Sequence, residues 1–267
     1  MSRVLAVTAV RIHARAGVLV NHDSMGLWTP LLAYAISVIG SLIGLSCMSK
    51  ARNEVERRGK VLWTVFGALA IGGVAIWLMH FVAMLGFDVN AGSVKYSAPL
   101  TALSALIAVG AVGLGLSMVT LVRFTGPRLV AAGVLSGLGV GGMHYMGMSA
   151  IRFQGELSYN QLLVVVSFVI AIVASTAAFW FTLVVKTAVA RVAAGLVMGV
   201  AVTGMHYTGM AAVNVELESS LPTPIGTDVF DLVFPVFLIG GLVVAVLLWT
   251  LFTSENDPLT DTADNVR

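Results

Sequence analysis

Charged residues divide the chain into long uncharged stretches. With histidine counted as neutral, seven stretches of at least 23 residues contain no Asp, Glu, Lys or Arg. A helix needs about 20 apolar residues to cross the hydrocarbon core, and a helix satisfies its own backbone where no water can. We therefore predict an all-α membrane protein with seven transmembrane helices. The stretches are Ser24–Ser49, Val61–Phe87, Tyr96–Val122, Leu129–Ile151, Leu157–Val185, Val192–Val215 and Leu232–Ser254.

The joints between these stretches differ in basic charge, which predicts the orientation. The first, third and fifth joints hold nine Lys and Arg residues, whereas the alternate joints hold only Lys95 and Arg152. Basic joints stay in the cytoplasm. We therefore predict an external N-terminus and a cytoplasmic C-terminus. Residues 1–26 form an extracytoplasmic segment, residues 27–252 the membrane domain, and residues 253–267 a disordered cytoplasmic tail.

The second, fourth and sixth stretches share a heptapeptide built around a histidine. The heptapeptides are Leu78–Met84 (LMHFVAM), Gly142–Met148 (GMHYMGM) and Gly204–Met210 (GMHYTGM), and their histidines are 64 and 62 residues apart. Because this spacing spans two helices, the three copies have one orientation in the bilayer. We predict three parallel two-helix repeats, at about 22–87, 96–151 and 159–215, in a pseudo-threefold bundle. The last helix, at 232–252, stands outside the pattern.

This heptapeptide resembles the motif of the MHYT domain, a bacterial integral membrane sensor domain. The run that names the family stands unaltered as Met205–Thr208. The resemblance implies a place in the bacterial inner membrane and a metal site, with copper proposed, that senses oxygen, carbon monoxide or nitric oxide. Family members are commonly fused to cytoplasmic output domains such as diguanylate cyclases or phosphodiesterases. Two departures occur in the first copy, where Phe81 replaces tyrosine and Ala83 replaces glycine.

The chemistry of the repeated side chains points to the same kind of site. Residues four apart project from one face of a helix, so each histidine is paired with the methionine that follows it. Thioether and imidazole together favour copper, particularly Cu(I), and neither brings charge into the membrane. Haem is an alternative, because His and Met are also an axial pair. The predicted ligands are His80, Met84, His144, Met148, His206 and Met210.

Other side chains are candidates for an accessory role. The methionines before each histidine point about 100° to the side, towards a neighbouring helix. His22 begins the first hairpin, where the family often carries a Tyr-Asp or His-Asp pair, although Asp23 can equally serve as a helix cap there. For every methionine, plain packing is the competing interpretation. The accessory candidates are Met79, Met143, Met205, Tyr145, Tyr207 and His22.

The composition narrows the functional classes. Hydrophobic residues make up 58% and charged residues 10%, against about 25% charged in soluble domains. The net charge of +2 does not indicate nucleic acid binding. All acidic residues lie outside or at the margins of the stretches, and no phosphate loop or nucleophile elbow is present, so an enzyme is not expected.

We predict a metal-binding sensor that signals through a separate partner protein. A transporter or channel for copper or a small solute, and an accessory subunit or metalloenzyme of a membrane complex, are the alternatives.

Overall fold

A computed structural model of the protein describes residues 26–87, 94–218 and 220–255. Within these residues, seven helices are long and apolar enough to cross a membrane, which confirms the predicted fold class. The N-terminal segment, with His22, and the tail beyond residue 255 lie outside the described residues. The helices are α1 (Trp28–Asn53), α2 (Arg57–Met84), α3 (Ala98–Thr120), α4 (Gly126–Ser149), α5 (Gln161–Val184), α6 (Ala188–Ala211) and α7 (Val229–Glu255).

Local sequence signals set several helix ends. The side chain of Asn160 accepts hydrogen bonds from Leu162 and Leu163 at the start of α5, and Thr187 caps α6, as polar caps do. Helices α3 and α4 each have a proline in the first turn, where its missing N–H costs nothing. Helix α1 continues beyond the predicted end at Ser49, because Lys50 and Arg52 suit the negative end of its dipole.

Helices α1 to α6 pack in chain order as a closed ring, in which α6 returns to α1. The same glycine of each repeat faces the next helix around this ring. A Cβ at Gly137 of α4 would lie 2.5 Å from the Ile172 backbone of α5, and one at Gly199 of α6 would lie 2.6 Å from Val38 of α1. Gly73 of α2 faces Val109 of α3. Small residues allow this close approach between membrane helices, and the repetition gives the bundle the predicted threefold character.

Helix α7 lies outside the ring, beside α1 and α2. Its Gly240 packs against Leu78 of α2, where a Cβ would come within 3.0 Å of that side chain. The unrepeated helix is therefore an addition to the ring.

Helix α2 contains a π-helical stretch, Leu69–Leu78, which the sequence pattern did not predict. Both neighbouring helices approach it closely. A Cβ at Gly40 of α1 would lie 2.5 Å from the Ala75 amide nitrogen, and one at Gly72 would lie 2.8 Å from the Ala108 carbonyl of α3. The stretch ends directly before Met79 and His80. Wide helical turns of this kind are rare and are often found at functional sites.

Short strands cover one end of the bundle, which is a departure from the expectation of helices alone. Strand β1 (Lys95–Tyr96) pairs with β2 (Ile151–Arg152), and β3 (Gly155–Tyr159) pairs with β4 (Val213–Leu217). Backbone hydrogen bonds of 2.9 Å between Tyr96 and Thr227 join the remaining connection. We call these strands the strand cap. These contacts join three connections that are distant in sequence, at the end of the bundle where α2, α4 and α6 end.

Candidate metal centre

Three histidines, one from each repeat, meet inside the helix ring. The Nδ1 atom of His80 lies 3.0 Å from Nδ1 of His206 and 3.3 Å from Nδ1 of His144. The three ring centroids are 5.0–5.1 Å apart, and each ring stands nearly perpendicular to the others. At most 4% of any of these side chains is exposed. We call these residues the histidine cluster.

Glycines of the same motif position two of the imidazole rings. A Cβ at Gly147 would lie 2.3 Å from Nε2 of His80, and a Cβ at Gly209 would lie 2.4 Å from Nε2 of His144. Each ring therefore occupies the space that a glycine leaves open on the next even-numbered helix. With its Nε2 edge against backbone, the ring has its Nδ1 edge turned to the other histidines. The first repeat has Ala83 at the corresponding place.

The methionines that follow the histidines by four residues form a second buried layer. Met84, Met148 and Met210 pack in one cluster that includes Tyr96 of the strand cap and Val213. Burial raises the pKa of the Tyr96 hydroxyl to about 12, because the phenolate is poorly solvated there. We call the three methionines the methionine layer. It lies between the histidine cluster and the strand cap, one helical turn beyond the histidines.

The methionines that precede the histidines pack elsewhere, as helical geometry predicts. Met79 packs with Ala33 and Val82, while Met143 and Met205 belong to the main apolar core. The structure therefore separates the two sets of methionines. Whether either set binds metal stays a prediction.

The two candidate tyrosines lie beside the histidine cluster. The ring of Tyr145 is 4.9 Å from that of His144, and the ring of Tyr207 is 5.0 Å from that of His206. The hydroxyl groups of Tyr145 and Ser167 share a hydrogen bond of 2.8 Å. Tyr145 is thus tied to α5, which leaves its hydroxyl engaged outside the cluster.

The donor set of the cluster fits a metal ion. It is the only group of three His, Cys, Asp or Glu side chains within the described part of the chain that could hold one. Nε2 of His144 is buried with no hydrogen-bond partner among these residues, and a buried polar atom of this kind calls for an explanation. Neutral imidazoles are ligands for copper and zinc. The sequence pairs each histidine with a methionine of its own helix and leaves open whether the three histidines share one site, since contacts between repeats cannot be read from one helix. The structure brings the three histidines together.

One residue of the sequence motif could have predicted how the imidazole rings pack. Glycine three residues after histidine in two copies marks the place where the neighbouring ring fits. In the sequence alone, this glycine is notable only because Ala83 replaces it in the first copy. The π-helical stretch and the strand cap had no comparable signal.

The sequence model of a family described as "Bacterial signalling protein N terminal repeat" (MHYT) matches the chain three times. The matched segments are residues 73–132, 137–195 and 199–260, which together cover more than half of the chain. They begin at or beside the three equivalent glycines of the ring.

Several curated proteins are similar to this chain. It is 35% identical over 196 residues to a bifunctional diguanylate cyclase/cyclic di-GMP phosphodiesterase, MucR, of Pseudomonas aeruginosa, covering 71% of this chain and 28% of that protein. It is 29% identical over 237 residues to the cyclic di-GMP phosphodiesterase NbdA of the same species, covering 84% and 29%. Signaling protein YkoW of Bacillus subtilis is 33% identical over 202 residues, covering 72% and 24%. The chain thus spans about a quarter of the length of these relatives. No solved structure matches it.

Proposed function

The chain belongs to the MHYT family of bacterial signalling proteins, and we propose that its histidine cluster binds a copper ion and senses a diatomic gas. The observation that carries the proposal is the convergence of three buried imidazoles from three repeats, with Nδ1 atoms 3.0 and 3.3 Å apart. Facing Nδ1 atoms at these distances are compatible with a hydrogen bond from the Nδ1–H tautomer of one ring to the next, and equally with an ion that all three rings bind.

The spacing of the Nδ1 atoms suits a single ion. Two nitrogen ligands that each lie about 2.0 Å from one ion are about 3.3–3.5 Å apart in tetrahedral or trigonal geometry. The Nδ1–Nδ1 distances of 3.0 and 3.3 Å are close to this separation. The absence of charged ligands from the cluster favours a soft monovalent ion over a hard divalent one. Cu(I) is the soft ion that histidine and methionine together select. We therefore propose that a thioether of the methionine layer can supply a fourth ligand to the ion, from the side of the strand cap.

A haem is less well supported than a bare ion. An axial His–Met pair needs a flat macrocycle between its two donors. In the histidine cluster the rings are in contact with one another instead, and small residues draw the surrounding helices together.

The surroundings of the cluster support a small apolar ligand. An apolar cavity of about 30 Å³ lies within the ring and is lined by Ile76, Val140, Phe179 and Met205. Met205 directly precedes His206 in the chain. A diatomic gas dissolves in the bilayer and can reach such a cavity without an aqueous path, whereas an ion or polar solute cannot.

The output of the sensor is proposed from the relatives. Two of them are named for the synthesis or hydrolysis of cyclic di-GMP. We propose that the state of the histidine cluster is passed to an enzyme of this kind through the end of the bundle opposite the strand cap, whether that enzyme is a further domain or a separate partner.

Metal analysis combined with an optical spectrum tests this function. The full chain is purified, loaded with Cu(I) and compared with a variant carrying His80→Ala, His144→Ala and His206→Ala. We expect about one copper per wild-type chain and none in the variant, with a bound C–O stretch in the infrared spectrum when carbon monoxide is added to the wild type. A Soret band would assign haem instead. Copper uptake into sealed vesicles that depends on the three histidines would assign transport.

A further inference from the structure

A cavity of about 350 Å³ lies between α1, α6 and α7, at the end of the bundle opposite the strand cap. Its lining divides into two parts. The polar part includes Ser46, Lys50 and Arg191, and the apolar part includes Leu42, Leu248 and Phe252. Phe252 is 64% exposed, so the apolar wall reaches the lipid-facing surface of the bundle.

The two cations of this cavity have few acceptors among the described residues. Neither Lys50 nor Arg191 forms an ion pair with a carboxylate of the described residues. Arg191 donates one bond of 3.3 Å to Ser46 Oγ, and its buried Nε has no hydrogen-bond partner in the same part of the chain. Lys50 donates a long bond of 3.4 Å to the Ser254 carbonyl. Both side chains are half-buried, and a buried cationic N–H such as Arg191 Nε is costly without an acceptor, which favours an anion in the cavity.

The neighbouring Arg52 provides a contrast on the same helix. Its guanidinium donates to the carbonyl groups of Thr182 and Val185, at 2.7 Å in the second case. These carbonyls belong to the last turn and the C-cap residue of α5, where helical carbonyls otherwise lack donors. Arg52 therefore stabilises the contact between α1 and the end of α5, while Lys50 and Arg191 keep N–H groups that can donate to a ligand.

We propose that this cavity is a binding site for an anionic phospholipid. Lys50 and Arg191 bind the headgroup phosphate, and one acyl chain lies along Leu42, Leu248 and Phe252. Basic pockets between membrane helices near the headgroup level are suited to this chemistry, and the fork of arginine matches phosphate geometry. A polar occupant would leave the apolar wall unused, which is why a lipid is favoured over the acidic residues of the chain's own tail, Asp257, Asp261 and Asp264.

The position of the site predicts what the lipid does. Helix α7 contacts the ring through α1 and α2 and is otherwise exposed. A lipid in the cavity bridges α7 to α1 and α6. Occupancy therefore stabilises the attachment of α7, independently of any metal in the histidine cluster.

Retention of lipid by the purified full-length protein tests the proposal. Native mass spectrometry and thermal unfolding are measured in detergent with added palmitoyl-oleoyl phosphatidylglycerol, palmitoyl-oleoyl phosphatidylcholine or inorganic phosphate. We expect phosphatidylglycerol to bind and to raise the unfolding temperature, and the other two additives to do neither. Lys50→Gln with Arg191→Gln should weaken phosphatidylglycerol binding on the order of tenfold. Arg57→Gln with Arg58→Gln, which removes two exposed charges at the same end, should leave it unchanged.

Two further variants separate the remaining occupants. Ser49→Leu narrows the cavity without removing a charge and should also reduce lipid retention, which keeps the test valid if the double charge variant fails to fold. Replacing the tail residues Asp257, Asp261 and Asp264 by asparagine should leave phosphatidylglycerol binding unchanged. Stronger lipid binding by that tail variant would assign the cavity to the tail and overturn the proposal. Equal stabilisation by inorganic phosphate, or unchanged binding by the Lys50 and Arg191 variant, would overturn it as well.

Discussion

Nε2 of His80 lies against the backbone of Gly147, where a Cβ would be only 2.3 Å away. Gly209 and His144 repeat this relationship one step further around the ring, with a distance of 2.4 Å. The positioning of each imidazole is thus built from two different repeats, which makes the histidine cluster a property of the assembled ring.

Replacing Gly147 or Gly209 by alanine should therefore disturb the cluster. The added methyl group must displace a buried ring, at a cost of about 1–3 kcal/mol for an overpacked site. We expect loss of copper binding with helical content retained by circular dichroism. Gly142→Ala and Gly204→Ala are matched controls in the same helices, because nothing lies within 4 Å of a Cβ at either position. If the controls lost copper as readily, the ring–glycine contact would not be what positions the histidines.

The methionine layer should contribute to copper affinity. Replacing Met84, Met148 and Met210 by leucine conserves volume, so stability should fall by less than about 1.5 kcal/mol per site, while the thioether donors are lost. We expect weaker Cu(I) binding in a competition titration with a chelator.

The same replacements at Met79, Met143 and Met205 form the control for the methionine layer. These residues pack away from it, so copper affinity should stay at the wild-type value. If neither set of methionine replacements changed copper affinity, histidine would be the only ligand in the site.

Tyr145 should matter for stability and not for metal. Tyr145→Phe removes the 2.8 Å hydrogen bond to Ser167 and should lower the free energy of unfolding by about 1 kcal/mol. Copper content should be unchanged, as Phe81 in the first repeat suggests. Tyr159→Phe is the control, since its hydroxyl makes no hydrogen bond with the described residues. A variant of Tyr145 that folds normally and loses copper would place this hydroxyl at the metal.

The orientation predicted from basic residues can be measured directly. Reporter fusions after Arg57 and after Ser220 should fall on the cytoplasmic and external sides, because nine of eleven basic joint residues lie at the first of these ends. The strand cap and the methionine layer would then face outward. The reverse reporter pattern would contradict the orientation and place the lipid cavity in the outer leaflet.

Sequence patterns predicted those features that depend on one helix at a time. The uncharged stretches located the seven helices of the described residues, and the repeated heptapeptide put His80, His144 and His206 at equivalent positions of parallel helices. What could not be predicted depends on contacts between helices. Three Nδ1 atoms meet only because Gly147 and Gly209 admit rings from neighbouring repeats, and the pairing of Tyr96 with Thr227 joins segments far apart in the chain. The π-helical stretch of α2 likewise lies where neighbouring helices approach closely, at Gly40 and Ala108, and such contacts cannot be read from one helix.

The most direct test of a shared copper centre is X-ray absorption at the copper edge of the Cu(I)-loaded protein. We predict one copper per chain with two or three nitrogen neighbours at about 2.0 Å, the usual distance to imidazole. His144→Gln should lower the nitrogen count and the copper affinity together. Three copper ions per chain, each with one nitrogen and one sulfur neighbour, would contradict the shared centre, and so would a copper environment that His144→Gln leaves unchanged.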